Sequence, residues 1–163
     1  MQYPKITFLL NVLDEAYGRK AWHGPTLRGS LRGVSAAQAA WRPAPGRHNI
    51  WEIVLHTAYW KYAVCGRLTG GKRGLFPYKG SNWFAHAGTP DTKAWRNVVA
   101  FLEQQHQLLR AAVAAFSPRQ LHQTGLAHKT TPAQNILGIA LHDVYHAGQI
   151  QLLKRLQHRG RNT

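Results

Sequence analysis

The chain has 163 residues, 44% of them hydrophobic, which predicts one globular domain over residues 1–163 with one hydrophobic core and argues against wholesale disorder. It carries 21 Lys and Arg against six Asp and Glu, a net charge of +15 at neutral pH. The single cysteine, Cys65, excludes an internal disulfide and favours a reducing compartment, so we expect a cytoplasmic protein in which Cys65 is packed rather than reactive.

The excess of positive charge would ordinarily suggest a nucleic-acid partner. The basic residues, however, are spread thinly from Lys5 to Arg161, and their densest runs are GRLTGGKRG, a loop, and KRLQHRGRNT, a tail. No nucleic-acid-binding motif accompanies them. We therefore expect a solvated basic surface, with nucleic-acid binding as the weaker alternative.

Neither a membrane span nor a targeting segment is expected. The apolar stretch ITFLLNVL is short and is followed at once by Asp14 and Glu15, without a small-residue cleavage site.

Helical periodicity begins at the N-terminal end of the chain. The spacing of apolar residues predicts a first helix over residues 5–22, interrupted at Gly24-Pro25 and resumed in a short segment to about Arg32. Ser35, with Gln three residues later, is a capping box that predicts a further short helical turn. The Pro/Gly-rich stretch RPAPGRHN then reads as a connector.

Three longer helices follow. Asn49 is a suitable N-cap for a second long helix over residues 50–68. A third helix is predicted over residues 92–116 and a fourth over residues 132–158, with proline at its first position. No part of the sequence shows the alternation typical of strands. Four long amphipathic helices therefore predict an all-α four-helix bundle.

The connection between the second and third long helices is unusually long. Residues 70–90 are rich in glycine and contain two prolines and four aromatic residues. Loops of this length inside compact domains tend to be functional, so we expect this segment to act as a lid.

Three histidines form the strongest candidate site. His142 and His146 lie four residues apart and therefore project from one face of the fourth helix, on the same stripe as apolar Ile139. His56 lies on the apolar stripe of the second helix with Ile53 and therefore also points inward. Three imidazoles from two helices match a metal site with open positions, whereas the alternative for each is a hydrogen-bonded core histidine.

Two acidic residues near these histidines are candidate partners for them. Glu52, one turn before His56, could orient an imidazole or relay a proton, or be a solvated surface charge. Asp143 points about 100° away from His142 around the helix, so we expect it to be solvated. The stretch HDVYH lacks the Glu that a helical zinc-protease motif uses as general base.

Other residues are weaker candidates. His23, at the break after the first helix, is a candidate pocket-lining residue. The remaining histidines are expected to be solvated: His48, His86, His106, His122, His128 and His158. Five aromatic residues either wall a pocket or pack in the core or an interface: Tyr59, Trp60, Trp83, Phe84 and Tyr145.

Several sequence blocks carry a family resemblance. The connector AAWRPAPGRHNIWE, the helical segment WEIVLHTAYWKYAV, the SNW of the long loop and the segment ALHDVYHAGQIQLLKR resemble the DinB-like, damage-inducible family of bacterial metalloproteins. The resemblance extends over nearly the whole chain. It implies an up-down-down-up four-helix bundle, usually a homodimer, with a divalent ion, often zinc or nickel, held by His56, His142 and His146.

The resemblance also implies a function. Family members with an assigned activity are thiol S-transferases that use low-molecular-weight thiols, or related thiol-dependent isomerases. We therefore expect a metal-dependent enzyme that activates a small thiol or water, as a transferase or a hydrolase, since a divalent ion lowers the pKa of either group. The alternative is a non-catalytic metal-binding module of a stress response.

Overall fold

The computed structural model describes residues 4–18, 20–71, 75–85, 89–124 and 129–159. The described residues form six α-helices and no strand: α1 (Pro4–Tyr17), α2 (Leu27–Ser30), α3 (Ala36–Ala40), α4 (Ile50–Thr69), α5 (Thr92–Ala115) and α6 (Pro132–Arg159). The predicted all-α fold is thereby confirmed. None of these helices combines the length and the apolar character that crossing a membrane requires.

The predicted helix starts are confirmed by their capping bonds. Ser35 and Gln38 form a reciprocal capping box at the start of α3. At the start of α4, the Asn49 side chain accepts a hydrogen bond from the backbone N–H of Glu52 at 2.9 Å. The helix α4 ends at Gly70, whose φ of +61° is a left-handed conformation that favours glycine.

The first helix is shorter than predicted. Helix α1 ends at Tyr17, and the N–H of Gly18 makes one further helical hydrogen bond, to the carbonyl of Asp14 at 2.9 Å. Residues 20–25 are exposed or only partly buried, so tertiary packing does not hold them in a helix. The chain resumes helical structure in α2, where Thr26 is the N-cap.

The long helices pack in defined directions. Helix α4 runs antiparallel to α6, because Lys61 pairs with Asp143 while Arg67, further along α4, bonds to Asn135, earlier on α6, at 2.9 Å. The long connection after α4 brings the chain back to the end at which α4 began. Trp95, near the start of α5, therefore packs on Trp51, near the start of α4.

The buried apolar side chains form two clusters rather than the one core that the length led us to expect. One cluster holds the early parts of α4 and α5 with the late part of α6, and the other holds their opposite halves with most of α1. The boundary falls at Lys61 on α4, at Gln105 and His106 on α5, and at Asp143 and His146 on α6, all of them buried. A layer of buried polar side chains therefore lies between two apolar halves of the bundle.

An ion pair lies in this polar layer. Lys61 of α4 and Asp143 of α6 pair directly, and both side chains are 0% exposed. The expectation that Asp143 is solvated was therefore wrong. Helix α6 packs against α1, α2 and α4, so its buried sector is much wider than the histidine stripe and includes the direction of Asp143.

His106 was also expected to be solvated, and the structure shows that this expectation was wrong. It is 2% exposed and stacks on the ring of Tyr17, with 3.7 Å between ring centroids. Burial, with the nearby positive charge of Lys61, lowers the pKa of His106 to about 3. The signal was present in the sequence, because His106 shares the buried stripe of Leu102 and Leu109.

Removing one member of the buried ion pair should destabilise the protein far more than removing both. We expect Lys61→Met to lower the free energy of unfolding by about 3–5 kcal/mol, because it leaves the Asp143 carboxylate buried and uncompensated. The double variant Lys61→Met/Asp143→Leu should recover most of that loss. Urea unfolding of the metal-free protein measures both.

The control is Arg28→Met, which removes the cation of a largely exposed pair with Glu103 and should cost no more than about 1 kcal/mol. A double variant as unstable as the single variant would contradict this account of the pair.

Candidate metal centre

The structure brings the three predicted histidines together. The Nε2 atom of His142 lies 3.0 Å from that of His56 and 3.1 Å from that of His146. One ring nitrogen from each residue lies within 4.8 Å of the others, and His142 is the partly exposed member of the group. The spacing of four residues on α6 and the antiparallel packing of α4 produce this convergence.

Hydrogen bonds determine which nitrogens carry protons. The Nδ1 atom of His56 lies 2.8 Å from the backbone carbonyl of Asn82, so it must donate, and its Nε2 is left bare. The Nδ1 atom of His146 lies 2.7 Å from Oε1 of Gln149, whose amide nitrogen donates to the hydroxyl of Tyr145. His146 therefore also presents a bare Nε2 toward His142.

This arrangement leaves His142 with more acceptors than it has protons. A neutral His142 can carry one proton on Nε2 and can donate it to only one of the two bare nitrogens. The other contact then joins two lone pairs at about hydrogen-bond distance. Its Nδ1 atom is also buried, with no hydrogen-bond partner among the described residues. A cation among the three Nε2 atoms removes the conflict, so these residues fit a divalent metal ion.

The two separations that involve His142 also fit metal coordination. With metal–nitrogen bonds of about 2.0–2.1 Å, two nitrogens at 90° around an ion are ~2.9 Å apart, and two at a tetrahedral angle are ~3.4 Å apart. The observed 3.0 and 3.1 Å are closer to the first value. An ion held in this way would keep coordination positions open for a substrate.

Burial keeps the cluster neutral. It lowers the pKa of His142 to about 3 and that of His146 to about 4, and the neighbouring imidazoles add to both shifts. Burial also lowers the pKa of His56. The imidazoles are therefore unprotonated near neutral pH, as metal binding requires.

The long loop forms one wall of the site. The indole of Trp83 stacks on His48 and on His56, with 3.6 and 4.0 Å between ring centroids and interplanar angles of 8° and 9°. The side chain of Asn82 accepts a hydrogen bond from Trp60 at 2.9 Å. The SNW motif and the length of the loop point to this segment, but nothing in the sequence marks Asn82 or His48 as neighbours of the site.

Glu52 does not contact any of the three clustered histidines. It is buried, and its carboxylate pairs with Arg42 and accepts a hydrogen bond from Nδ1 of His48 at 2.8 Å. Burial alone would raise the pKa of Glu52, but the bonds from Arg42 and His48 outweigh burial and lower it. Glu52 is connected to His56 only indirectly, through His48 and the stacked Trp83.

The other aromatic candidates divide between the site and the core. Trp60 and Trp83 contact rings of the histidine cluster, and Tyr145 lies edge-on to His146 with 5.0 Å between centroids. Tyr59 and Phe84 pack on each other within the apolar core.

The remaining histidines and the cysteine lie elsewhere. His23 and His122 are exposed, and Cys65 is free and partly buried against one apolar cluster. His86, His128 and the side chain of His158 lie outside the described residues.

Residues 21–150 match the family model of the DinB superfamily. The matched range includes all three clustered histidines and the loop residues that contact His56. No curated protein and no solved structure matches the chain.

The histidine cluster should make the metal-free protein sensitive to acid. The pKa values of His142 and His146 in the folded state, about 3 and about 4, lie below the unfolded value of ~6.5, so below that pH the unfolded chain binds more protons. Stability should fall as the pH drops from 6.5 toward 4, by up to about 1.4 kcal/mol per pH unit for each such group.

The measurement is the free energy of unfolding in urea at pH 7 and pH 5, with a chelator present. The double variant His142→Gln/His146→Gln should lose less stability between these pH values than the wild type, and the exposed-site variant His122→Gln should behave like the wild type. Identical pH dependence in all three proteins would exclude this role for the cluster.

Proposed function

Because the chain belongs to the DinB superfamily, we propose that it is a metal-dependent enzyme that activates a small thiol or water at its three histidines. The observation that carries the proposal is the convergence of the Nε2 atoms of His56 and His146, both left bare by the hydrogen bonds of Nδ1, on the Nε2 atom of His142. Three imidazole ligands and the order of metal affinities favour zinc or nickel as the ion.

The protein's own residues have distinct tasks in this proposal. His56, His142 and His146 hold the ion, which when bound lowers the pKa of a neighbouring thiol or water. Asn82 and Gln149 hold two of the imidazoles in the required tautomer.

The reaction class follows from the expected nucleophile. A thiol attacking an electrophilic carbon gives a transferase, and water attacking an acyl centre gives a hydrolase. The resemblance to thiol-dependent enzymes favours the transferase. A cytoplasmic location belongs to the same proposal, because low-molecular-weight thiols are kept reduced there and Cys65 is free.

The purified protein should carry about one divalent ion per chain, and His142→Ala or His146→Ala should remove it. Each substitution deletes one of three ligands, and the remaining two imidazoles bind an ion far more weakly. Elemental analysis after dialysis gives the stoichiometry. His122→Ala, at an exposed histidine outside the cluster, is the matched control and should retain the ion.

A folded wild-type protein that binds no divalent ion would refute the proposal. The non-catalytic alternative, a metal-binding module of a stress response, predicts the same stoichiometry. A screen of thiol conjugation and of ester and amide hydrolysis, with and without metal, separates the two functions, since only the enzyme shows metal-dependent turnover.

A homodimer is part of the proposed assembly. Helix α6 carries apolar residues on its outer side as well as on its buried side: Leu141, Tyr145 and Leu152 are 68%, 63% and 58% exposed, with Leu137 and Leu156 on the same stripe. The stripe extends over about 28 Å of helix. An exposed apolar surface of this length is typical of a protein interface, and a second copy of the chain offers a matching stripe.

Charges introduced into the stripe should dissociate the dimer. We expect the wild type to sediment as a dimer at micromolar concentration and Leu141→Lys/Leu152→Lys to sediment as a monomer, because the lysines would be buried without partners. Leu108→Lys, at an exposed apolar position of α5, is the control and should stay dimeric. A monomeric wild type would contradict the proposed assembly.

A further inference from the structure

A small cavity lies beside the histidine cluster, between α4 and α6. Its volume is about 160 Å³, and its lining includes Trp60, Arg67, Asn135, Gly138 and His142. At ~30 Å³ per water molecule, it has room for about five waters, or for one small organic molecule. His142 is the one member of the histidine cluster that lines the cavity, so an occupant of the cavity lies next to the His142 side of the proposed reaction site.

Arg67 is the one cationic residue that lines this cavity, and no acidic residue in the described part of the chain lines it. Its Nη1 atom donates to Oδ1 of Asn135 at 2.9 Å, and its guanidinium lies over the ring of Trp60, 5.8 Å from the centroid. Asn135 is itself oriented by a bond from its amide to the carbonyl of Thr131 at 3.0 Å. The guanidinium is therefore held in place before any ligand arrives.

This guanidinium lacks a counter-ion among the described residues. Within the described residues no carboxylate lies within ion-pair distance of Arg67, and its Nε atom has no hydrogen-bond partner. Leaving a partly buried charge unpaired is costly, and a carboxylate is the group whose shape best matches a guanidinium. Arg67 thus has the properties of a residue that recognises an anion.

Gly138 keeps one side of the cavity open. A Cβ atom built at this position meets nothing within 4 Å, so packing does not require a glycine here. In a helix interior glycine is about 1 kcal/mol less favourable than alanine. Glycine at position 138 is therefore unfavourable for the helix, but it leaves an open path to Arg67 and His142, which gives it a role in the site.

We propose that Arg67 determines the substrate specificity of this site and that the substrate is a small thiol bearing a carboxylate. The carboxylate would lie on the guanidinium of Arg67, with the thiol at the His142 end of the cavity. A second cavity of about 400 Å³ also includes Arg67 and Asn135 in its lining, which leaves room for a substituent on the substrate. This inference rests on the proposed function, because it assigns a substrate class to the same site.

The test compares two thiols of equal length, 3-mercaptopropionate and the uncharged 3-mercaptopropanol. Binding to the cobalt-loaded protein is followed by the thiolate-to-cobalt absorption band. We expect the wild type to bind the carboxylate about tenfold more tightly, and Arg67→Gln to bind the two thiols equally. Arg110→Gln, which removes a remote positive charge, should keep the tenfold preference.

A second pair of variants tests the cavity itself. Gly138→Leu should abolish the binding of both thiols while cobalt still binds, because its side chain fills the open space. Ala111→Leu is the control, because it adds the same side chain at an exposed position of α5 outside the cavity lining, and it should bind thiols normally. Normal thiol binding by Gly138→Leu would overturn the assignment of this cavity.

The outcomes separate this inference from the proposed function. A cobalt-loaded wild type that binds both thiols equally overturns the role of Arg67 and leaves the metal-dependent function intact. Saturation-transfer NMR of 3-mercaptopropionate with the metal-free protein tests recognition without any metal. A signal lost in Arg67→Gln supports the inference, and the same signal in both proteins overturns it, whether or not the protein binds cobalt.

Discussion

The buried ion pair between Lys61 and Asp143 is the constraint on which the geometry of the bundle depends. Both side chains are fully buried, so the two charges are stable only while they face each other. Sliding α6 by one helical turn along α4 would move the pair about 5.4 Å apart and leave two uncompensated charges inside the protein. Apolar side chains tolerate such shifts more easily, because their attraction has no direction.

The same register determines the position of the histidines. Asp143 follows His142 directly, and Lys61 lies five residues after His56, so the ion pair and the cluster share one pair of helices. A shift that breaks the pair also moves His142 away from His56. The ion pair therefore makes it costly to move the histidines. It holds their nitrogens at the separations near 3 Å that suit metal binding. This linkage explains why a bundle of two apolar halves retains a charged layer between them.

Local signals in the sequence predicted much of this structure. The caps at Ser35 and Asn49 and the stripe that holds His142 and His146 follow from spacing within a single helix. The burial of Asp143 could not be predicted in this way, because it depends on how many neighbours surround α6, which periodicity along one helix does not reveal. The burial of His106, by contrast, follows from the stripe that it shares with Leu102 and Leu109. The contacts of the long loop with His56 depend on tertiary packing, as the burial of Asp143 does, although its SNW residues pointed to the correct segment.

The positions of the few acidic residues explain the high positive charge of the surface without invoking nucleic-acid binding. Five of the six have structural partners: four pair with Arg110, Arg42, Arg28 and Lys61, and Asp91 caps α5. Among the described residues, then, most carboxylates are bound within the protein. Most Lys and Arg side chains face solvent or a cavity and have no carboxylate partner. Such a surface attracts small anions from a distance. Arg67 lines the cavity beside His142 and lacks a counter-ion among the described residues, so the proposed carboxylate would exchange solvent there for a guanidinium already held by Asn135.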